Sequence, residues 1–302
     1  MKAACILQGD IRDNFIIVLK EMQRHFDVII LSTWKGEEDK IPDGDFIVLL
    51  NEVTKLEGFS HRNYQRYSTA QGIEKAKEMG CEYVLKWRTD MLPTRLNITD
   101  LTNWANAKKP REFKSRIVTC AFRNLSVEED WFSTIPDYFA FGHIEIMELL
   151  WGDNGIDYNK NMNMPVSMID RYDAHWQGGD NASTIYSPEA ELYANFKDRL
   201  QSKLNIKLSH ETIVKGYMRV IDHNRLGVVW FSSGGGYRSI SQAWEYPWWS
   251  EKIWLGKEKV VYISKEYRIK SFQQRVLRLL SPLLVKVNIF KQKLLFREYR
   301  RS

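Results

Sequence analysis

A chain of 302 residues, 44% hydrophobic and 13% aromatic, is long enough to bury a full core, which excludes disorder as its main state. The opening MKAACILQGD has too short an apolar run for a secretory signal, and no stretch reaches about 18 uninterrupted apolar residues, so a cytoplasmic protein is expected. The net charge of +6 is uneven: residues 265–302 hold eleven Lys or Arg against Glu266 and Glu298, a local +9, while the body before them carries 33 basic and 36 acidic residues.

The elements alternate from the start. AACILQG is a short apolar run ending in Gln8 and Gly9, RDNFIIVLKEMQRHF has helical periodicity, and DVIILSTW is a second buried strand. DFIVLLNE is a third strand, HRNYQRYSTAQGIEKAKEMG a helix closed by Gly80, and YVLKWRTDM a fourth strand. Strands alternating with helices predict an α/β domain with a largely parallel sheet. RIVTCAFRN is a later strand, PDYFAFGHIEIMELLWG a strand leading into a helix, SPEAELYANFKDRL a helix with Pro188 in its first turn, and LGVVWFSSGGGYRS a strand running into a glycine loop.

In the fourth strand Lys86, Arg88 and Asp90 fall on one face, with Leu85 and Trp87 on the other. That charged face must meet water, as on an edge strand, or a charged ligand. Ligands of such sheets sit beyond the carboxyl ends of the strands, which here carry Gln8 to Arg12, Ser32 to Trp34, Asn51 with Glu52, and Arg88 to Asp90. No dinucleotide or P-loop glycine fingerprint follows any strand, so a different phosphate-binding logic is needed. Lys86 and Arg88 can supply positive charge to a diphosphate, and Asp90 can hold Mg²⁺ or Mn²⁺. Gln8 suits a base edge and Arg12 a phosphate or a ring face, while Asp10 suits either the ligand or a cap on the next helix. Cys5, Cys81 and Cys120 lack C-x-x-C spacing and read as buried thiols.

The stretches ILQGDI, IILSTWKG, NYQRYSTAQGIEKA, YVLKWRTDM and SPEAELYANF, in this order, resemble the WavE lipopolysaccharide-synthesis family. The resemblance covers roughly residues 3–200. It implies a GT-A-like, Rossmann-type fold and a bacterial glycosyltransferase that moves a sugar from a nucleotide sugar onto a lipopolysaccharide, capsule or related glycan. On this reading residues 1–258 form the transferase domain, with the nucleotide-sugar part in about 1–125 and the acceptor part in about 126–258. Donor-binding residues are Gln8, Asp10, Arg12, Thr33, Trp34, Asn63, Gln65, Arg66, Lys86, Arg88 and Asp90. Where GT-A enzymes resemble one another in an Asp-x-Asp, this chain has Arg88-Thr89-Asp90, with a single carboxylate. Asp90, completed by His223, is the expected site for Mg²⁺ or Mn²⁺. Glu189 is the expected general base, with Asp137 and Asp180 as alternatives. Whether transfer inverts or retains is open.

Trp176, Trp244, Trp248 and Trp249 suit either sugar stacking or packing, and packing is favoured for WEYPWWSEKIW. In the tail, residues 259–302, Phe272, Val276, Leu279, Leu283, Val287, Phe290 and Leu294 recur every three or four residues among basic ones. That is a basic amphipathic helical segment of the kind that binds anionic membranes, which places the protein at the inner face of the cell membrane. The other classes are a non-catalytic adaptor and a nucleic-acid binder; the apolar stripe argues against nucleic acid as a partner.

Overall fold

In a computed structural model the described residues are 1–52, 62–125, 132–153, 188–231, 237–239 and 248–258. They form, in chain order, β1 (Ala3–Gln8), α1 (Phe15–Gln23), β2 (Val28–Trp34), β3 (Ile47–Asn51), α2 (Arg62–Glu78), β4 (Tyr83–Arg88) and β5 (Met91–Pro93). There follow α3 (Ile98–Asn106), β6 (Ile117–Cys120), β7 (Phe122–Leu125), β8 (Phe132–Thr134), β9 (Ala140–His143) and α4 (Ile144–Trp151). The rest are α5 (Pro188–Leu204), α6 (His210–Tyr217), β10 (Met218–Ile221), β11 (Val228–Phe231), β12 (Tyr237–Ser239), β13 (Trp248–Trp249) and α7 (Glu251–Trp254).

Seven strands make one sheet in the order β10-β6-β9-β4-β1-β2-β3. All its pairs are parallel except those of β9, which runs antiparallel to β4 and β6. The α/β class with a mostly parallel sheet is therefore the observed one. Side-chain alternation supplies both faces. Ala4, Ile6, Ile30 and Val84 pack with Ile73 of α2, Met147 of α4, Tyr193 of α5 and Val214 of α6. Cys5, Leu7, Leu31, Leu85 and Trp87 pack with Phe15 and Leu19 of α1 and Leu101 of α3. Each fully buried side chain of this size contributes about 1.5–3 kcal/mol, so a sheet covered on both faces is a stable solution for near-continuous apolar strands.

The charged strand departs from the edge reading. β4 lies inside the sheet between β1 and β9, and Lys86 is 0% exposed. Two features seat α2 on the sheet beside β1 and against α5. Gly72 lets the helix approach β1 so closely that a Cβ there would lie 2.5 Å from Ile6 Cγ2. Arg66 also forms a 2.9 Å ion pair with Glu191 of α5, both side chains being buried. Gly80, with φ +71°, then ends the α2 segment in the left-handed region that glycine adopts without strain.

RIVTCAFRN, read as one strand, divides at Ala121 into β6 of the main sheet and β7 of a small sheet with β8 and β13. β11 pairs antiparallel with β5 and β12. Cys5, Cys81 and Cys120 are buried free thiols. In WEYPWWSEKIW, Trp248 and Trp249 pair with β7, while the Trp254 indole donates to the Met218 carbonyl at 2.8 Å between the guanidinium groups of Arg116 and Arg219. Among the described residues no helix is long and apolar enough to cross a membrane. Asp180, Trp176, Trp244, the glycines at 234–236 and the basic tail lie outside the described residues.

Candidate functional site

The parallel register sets Gln8 level with both Ser32 and Arg88, so β1, β2 and β4 end at one edge of the sheet. A cleft of about 640 Å³ opens there. After β1 it is lined by Gln8, Asp10 and Arg12; after β2 by Trp34, Lys35 and Glu37; after β4 by Arg88, Thr89 and Asp90; Tyr64 and Gln65 of α2 close one side. Gly9 turns the chain out of β1 at φ +123°, where a Cβ would meet Thr89 Oγ1 at 3.2 Å. The Thr89 hydroxyl donates to the Asp10 carbonyl at 2.6 Å and so ties the two loops together. Asp10 is exposed and is not the helix cap, a position that belongs to Asn14. Trp34 and Tyr64 meet edge to face, with centroids 5.1 Å apart, as an aromatic wall. A groove of about 620 Å³ between β3 and α2 has a rim that carries Lys35 paired with Glu52 and Lys75 paired with Glu78.

The charge in the cleft is organised around Arg88. Its Nε donates to Asp90 Oδ1 at 2.8 Å and its Nη2 to Asp90 Oδ2 at 2.9 Å, a bidentate pair, while Nη1 donates to Asp137 Oδ2 at 3.3 Å. The Trp230 indole donates to Asp90 Oδ2 at 2.9 Å, the Phe231 amide donates to the Asp90 carbonyl at 2.8 Å, and Arg12 Nε stands 3.7 Å from Oδ2. Asp90 is 2% exposed. Burial alone would raise its pKa, but the bonds from Arg88 and Trp230 outweigh it and hold the carboxyl below its usual range. Burial likewise works against the charged Arg88, and Asp90 with Asp137 reverses that and raises its pKa. Asp137 reaches this edge because β9 is antiparallel: Ala140 pairs with Lys86, so residues just before Ala140 lie beside the end of β4.

Several residues expected at the donor face inward instead. Thr33 is fully buried beside a bracing network, in which Asn51 Nδ2 donates to Ser32 Oγ at 3.0 Å and to the Thr33 carbonyl at 2.7 Å. Asn63 is 1% exposed, and Arg66 is turned to Glu191 rather than to the cleft. Lys86 donates from Nζ to the Asp137 carbonyl and lies 5.0 Å from the centre of the Trp151 ring. Burial pushes its pKa down to about 7, with Asp137 opposing. Glu189 stands in the first turn of α5, two residues before the Glu191 that anchors this helix to α2; neither it nor Asp137 lines the cleft, and Asp137 reaches it through its bond to Arg88.

His223, expected to complete a metal site, is 4% exposed, with Nδ1 2.5 Å from the Tyr138 hydroxyl and its ring stacked on Tyr138. Burial lowers its pKa to about 4. Asp90 meanwhile has its oxygens engaged by N–H donors, and among the described residues no group of three His, Cys, Asp or Glu is placed to hold an ion. Among the described residues, the donors around Asp90 do not fit a resident divalent cation.

Sequence reading missed Lys35, Glu37, Tyr64 and Trp230. Lys35 and Tyr64 had a signal, since each adjoins a residue already singled out. Trp230 had none, because only the pairing of β11 with β5 brings it to Asp90.

A family model described as WavE lipopolysaccharide synthesis matches residues 9–230. The matched span runs from the turn at Gly9 to the indole of Trp230 and so contains every cleft element except β1 itself. No curated protein matches the chain. The chain belongs to the WavE lipopolysaccharide synthesis family, which ties it to lipopolysaccharide biosynthesis.

Proposed function

We propose that the protein is a glycosyltransferase that moves a sugar from a nucleotide-sugar donor onto a lipopolysaccharide or related surface glycan. The observation that carries this reading is the cleft at the carboxyl ends of β1, β2 and β4, which places an aromatic wall, an exposed carboxylate and two guanidinium groups around one cavity. That combination suits a nucleoside diphosphate: the wall of Trp34 and Tyr64 packs against the base, Gln8 pairs with its edge, Asp10 accepts from ribose hydroxyls, and Arg12 with Arg88 faces the diphosphate. Family membership supports the biological setting.

Acid–base roles follow from position. Asp137, with its carboxylate beside Arg88 and its side chain 19% exposed, is the described candidate nearest the cleft for taking a proton from the acceptor hydroxyl. Glu189, on a helix anchored to α2, is the second, and Asp180 stays an alternative on the sequence alone. In the attack, the acceptor oxygen bonds to the anomeric carbon as the bond to the diphosphate breaks; the proton goes to the carboxylate, and the leaving diphosphate keeps the electron pair. Fixed guanidinium charge at the leaving group lowers the barrier without reorganisation. The basic segment 265–302 holds the enzyme at the anionic inner leaflet, where lipid-linked acceptors are presented.

The test is release of nucleoside diphosphate from a panel of nucleotide sugars, with and without a lipopolysaccharide acceptor fraction. Turnover of one donor, reduced about 10²–10³-fold in Arg88→Ala and Asp137→Asn, is the expected result. A folded protein that neither binds nor turns over any of them is instead a non-catalytic adaptor.

A further inference from the structure

A diphosphate bound by a protein needs positive charge, and two designs supply it. Carboxylates can recruit a divalent cation, or guanidinium groups can be held in place directly. The two designs make opposite demands on an aspartate at the end of β4: as a metal ligand it must offer lone pairs to the cleft, whereas as a brace it must spend them on the arginine.

Asp90 spends them. Oδ1 accepts from Arg88 Nε, and Oδ2 accepts from both Arg88 Nη2 and the Trp230 indole, with Arg12 Nε 3.7 Å away. An oxygen accepting two directed bonds has both lone pairs engaged. At 2% exposure, the carboxylate also has almost no surface through which an ion could reach it. Arg88 shows the complement: of a guanidinium's five N–H groups, three point at Asp90 and Asp137, which leaves two, and the side chain is 22% exposed at the cleft. Two carboxylates fix the plane of the guanidinium, so its remaining N–H groups have a set direction before any ligand arrives. Arg12, 32% exposed, brings a second guanidinium to the same carboxylate.

We propose that Arg88 and Arg12 bind the diphosphate directly, without a divalent cation, and that Asp90 is a positioning residue for Arg88. This rests on the nucleotide-sugar reading above. Trp230 extends the device, because its indole takes the second lone pair of Oδ2 and leaves that oxygen saturated.

The experiment is calorimetry on the full chain with a panel of nucleoside diphosphates and the matching nucleosides, once in EDTA and once in Mn²⁺. One diphosphate is expected to bind with affinities equal within about twofold in the two conditions. Asp90→Asn should weaken that diphosphate by about tenfold in both conditions while leaving the nucleoside unchanged. Arg12→Gln, at a partly exposed position, should erode the preference for diphosphate over nucleoside in the same way. Trp230→Phe should act in the direction of Asp90→Asn, and retained nucleoside binding certifies the fold of each variant. Diphosphate binding that requires Mn²⁺, or an Asp90→Asn defect confined to Mn²⁺, overturns the inference and leaves the nucleotide reading standing. Binding of no diphosphate in either condition overturns both.

Discussion

Replacing Lys86 by methionine should change how the stability of the fold depends on pH. In the folded chain burial pushes the ammonium from 10.5 down to about 7, Asp137 opposes the fall, and Arg88 reinforces it. Between those values the unfolded chain binds a proton that the folded chain has released, so stability rises with pH by up to about 1.4 kcal/mol per unit. It is highest above the unfolded pKa and is lost as pH falls towards the folded one. From about pH 7 to about pH 9 the wild type should therefore gain on the order of 2 kcal/mol relative to Lys86→Met. Methionine keeps an unbranched apolar stem beside Trp151 and has no charge to titrate. The assay is urea unfolding of both proteins across that range, plotted as a difference so that the other titrating groups cancel. Parallel curves would refute the picture of a desolvated amine inside the central strand.

Glu191→Gln leaves Arg66 buried without its countercharge and should cost about 3–5 kcal/mol in chemical denaturation, much of it recovered when Arg66→Met is added. Gly72→Ala puts a methyl 2.5 Å from Ile6 Cγ2, forcing α2 off β1; a loss of about 1–3 kcal/mol should appear as a lower Tm. Glu251 accepts from Arg219 Nη2 at 2.6 Å and Arg225 Nε at 2.9 Å, and these bonds outweigh burial and lower its pKa. Its contribution is thus present above the usual carboxylate range and fades in acid. Glu251→Gln should be less stable than wild type by about 1–3 kcal/mol at neutral pH, with the gap closing as pH falls through the lowered value.

How much of this was legible in the sequence depends on how local the cause is. β1 to β4 and α1, α2 and α5 follow from runs and periods a few residues long, and Gly80 and Pro188 mark ends by their own backbone chemistry. β10 was not legible: MRVI is four residues with an arginine inside, and it becomes a strand because β6 offers it a parallel edge. The antiparallel course of β9 was equally hidden, since AFGH has no feature that states its direction. At the cleft, the polar residues at the ends of β1, β2 and β4 could be named in advance because sheet topology brings strand ends together. Which of them face outward could not. Strand alternation put Lys86 and Arg88 on one face, but α4 covers Lys86 with Trp151 while Arg88, two residues on, clears the helix and reaches the cavity. Arg66 was likewise drawn inward by a partner, Glu191, that no local pattern announces.

The bond from Trp230 to Asp90 spans 140 residues of chain. A ribosome synthesising at about 5–20 residues per second takes roughly 7–28 s to cover that separation, and in that interval the strands that form the floor of the cleft have been made while β11 has not. The nascent chain therefore carries Arg88 and Asp90 without their last partner, in a half-assembled site. A message truncated anywhere between β9 and β11 would yield a protein with most of its sheet but an unfinished cleft. The pairing of β5 with β11 thus makes completion of the cleft a late event of biosynthesis, reached only when the chain has been made as far as Trp230.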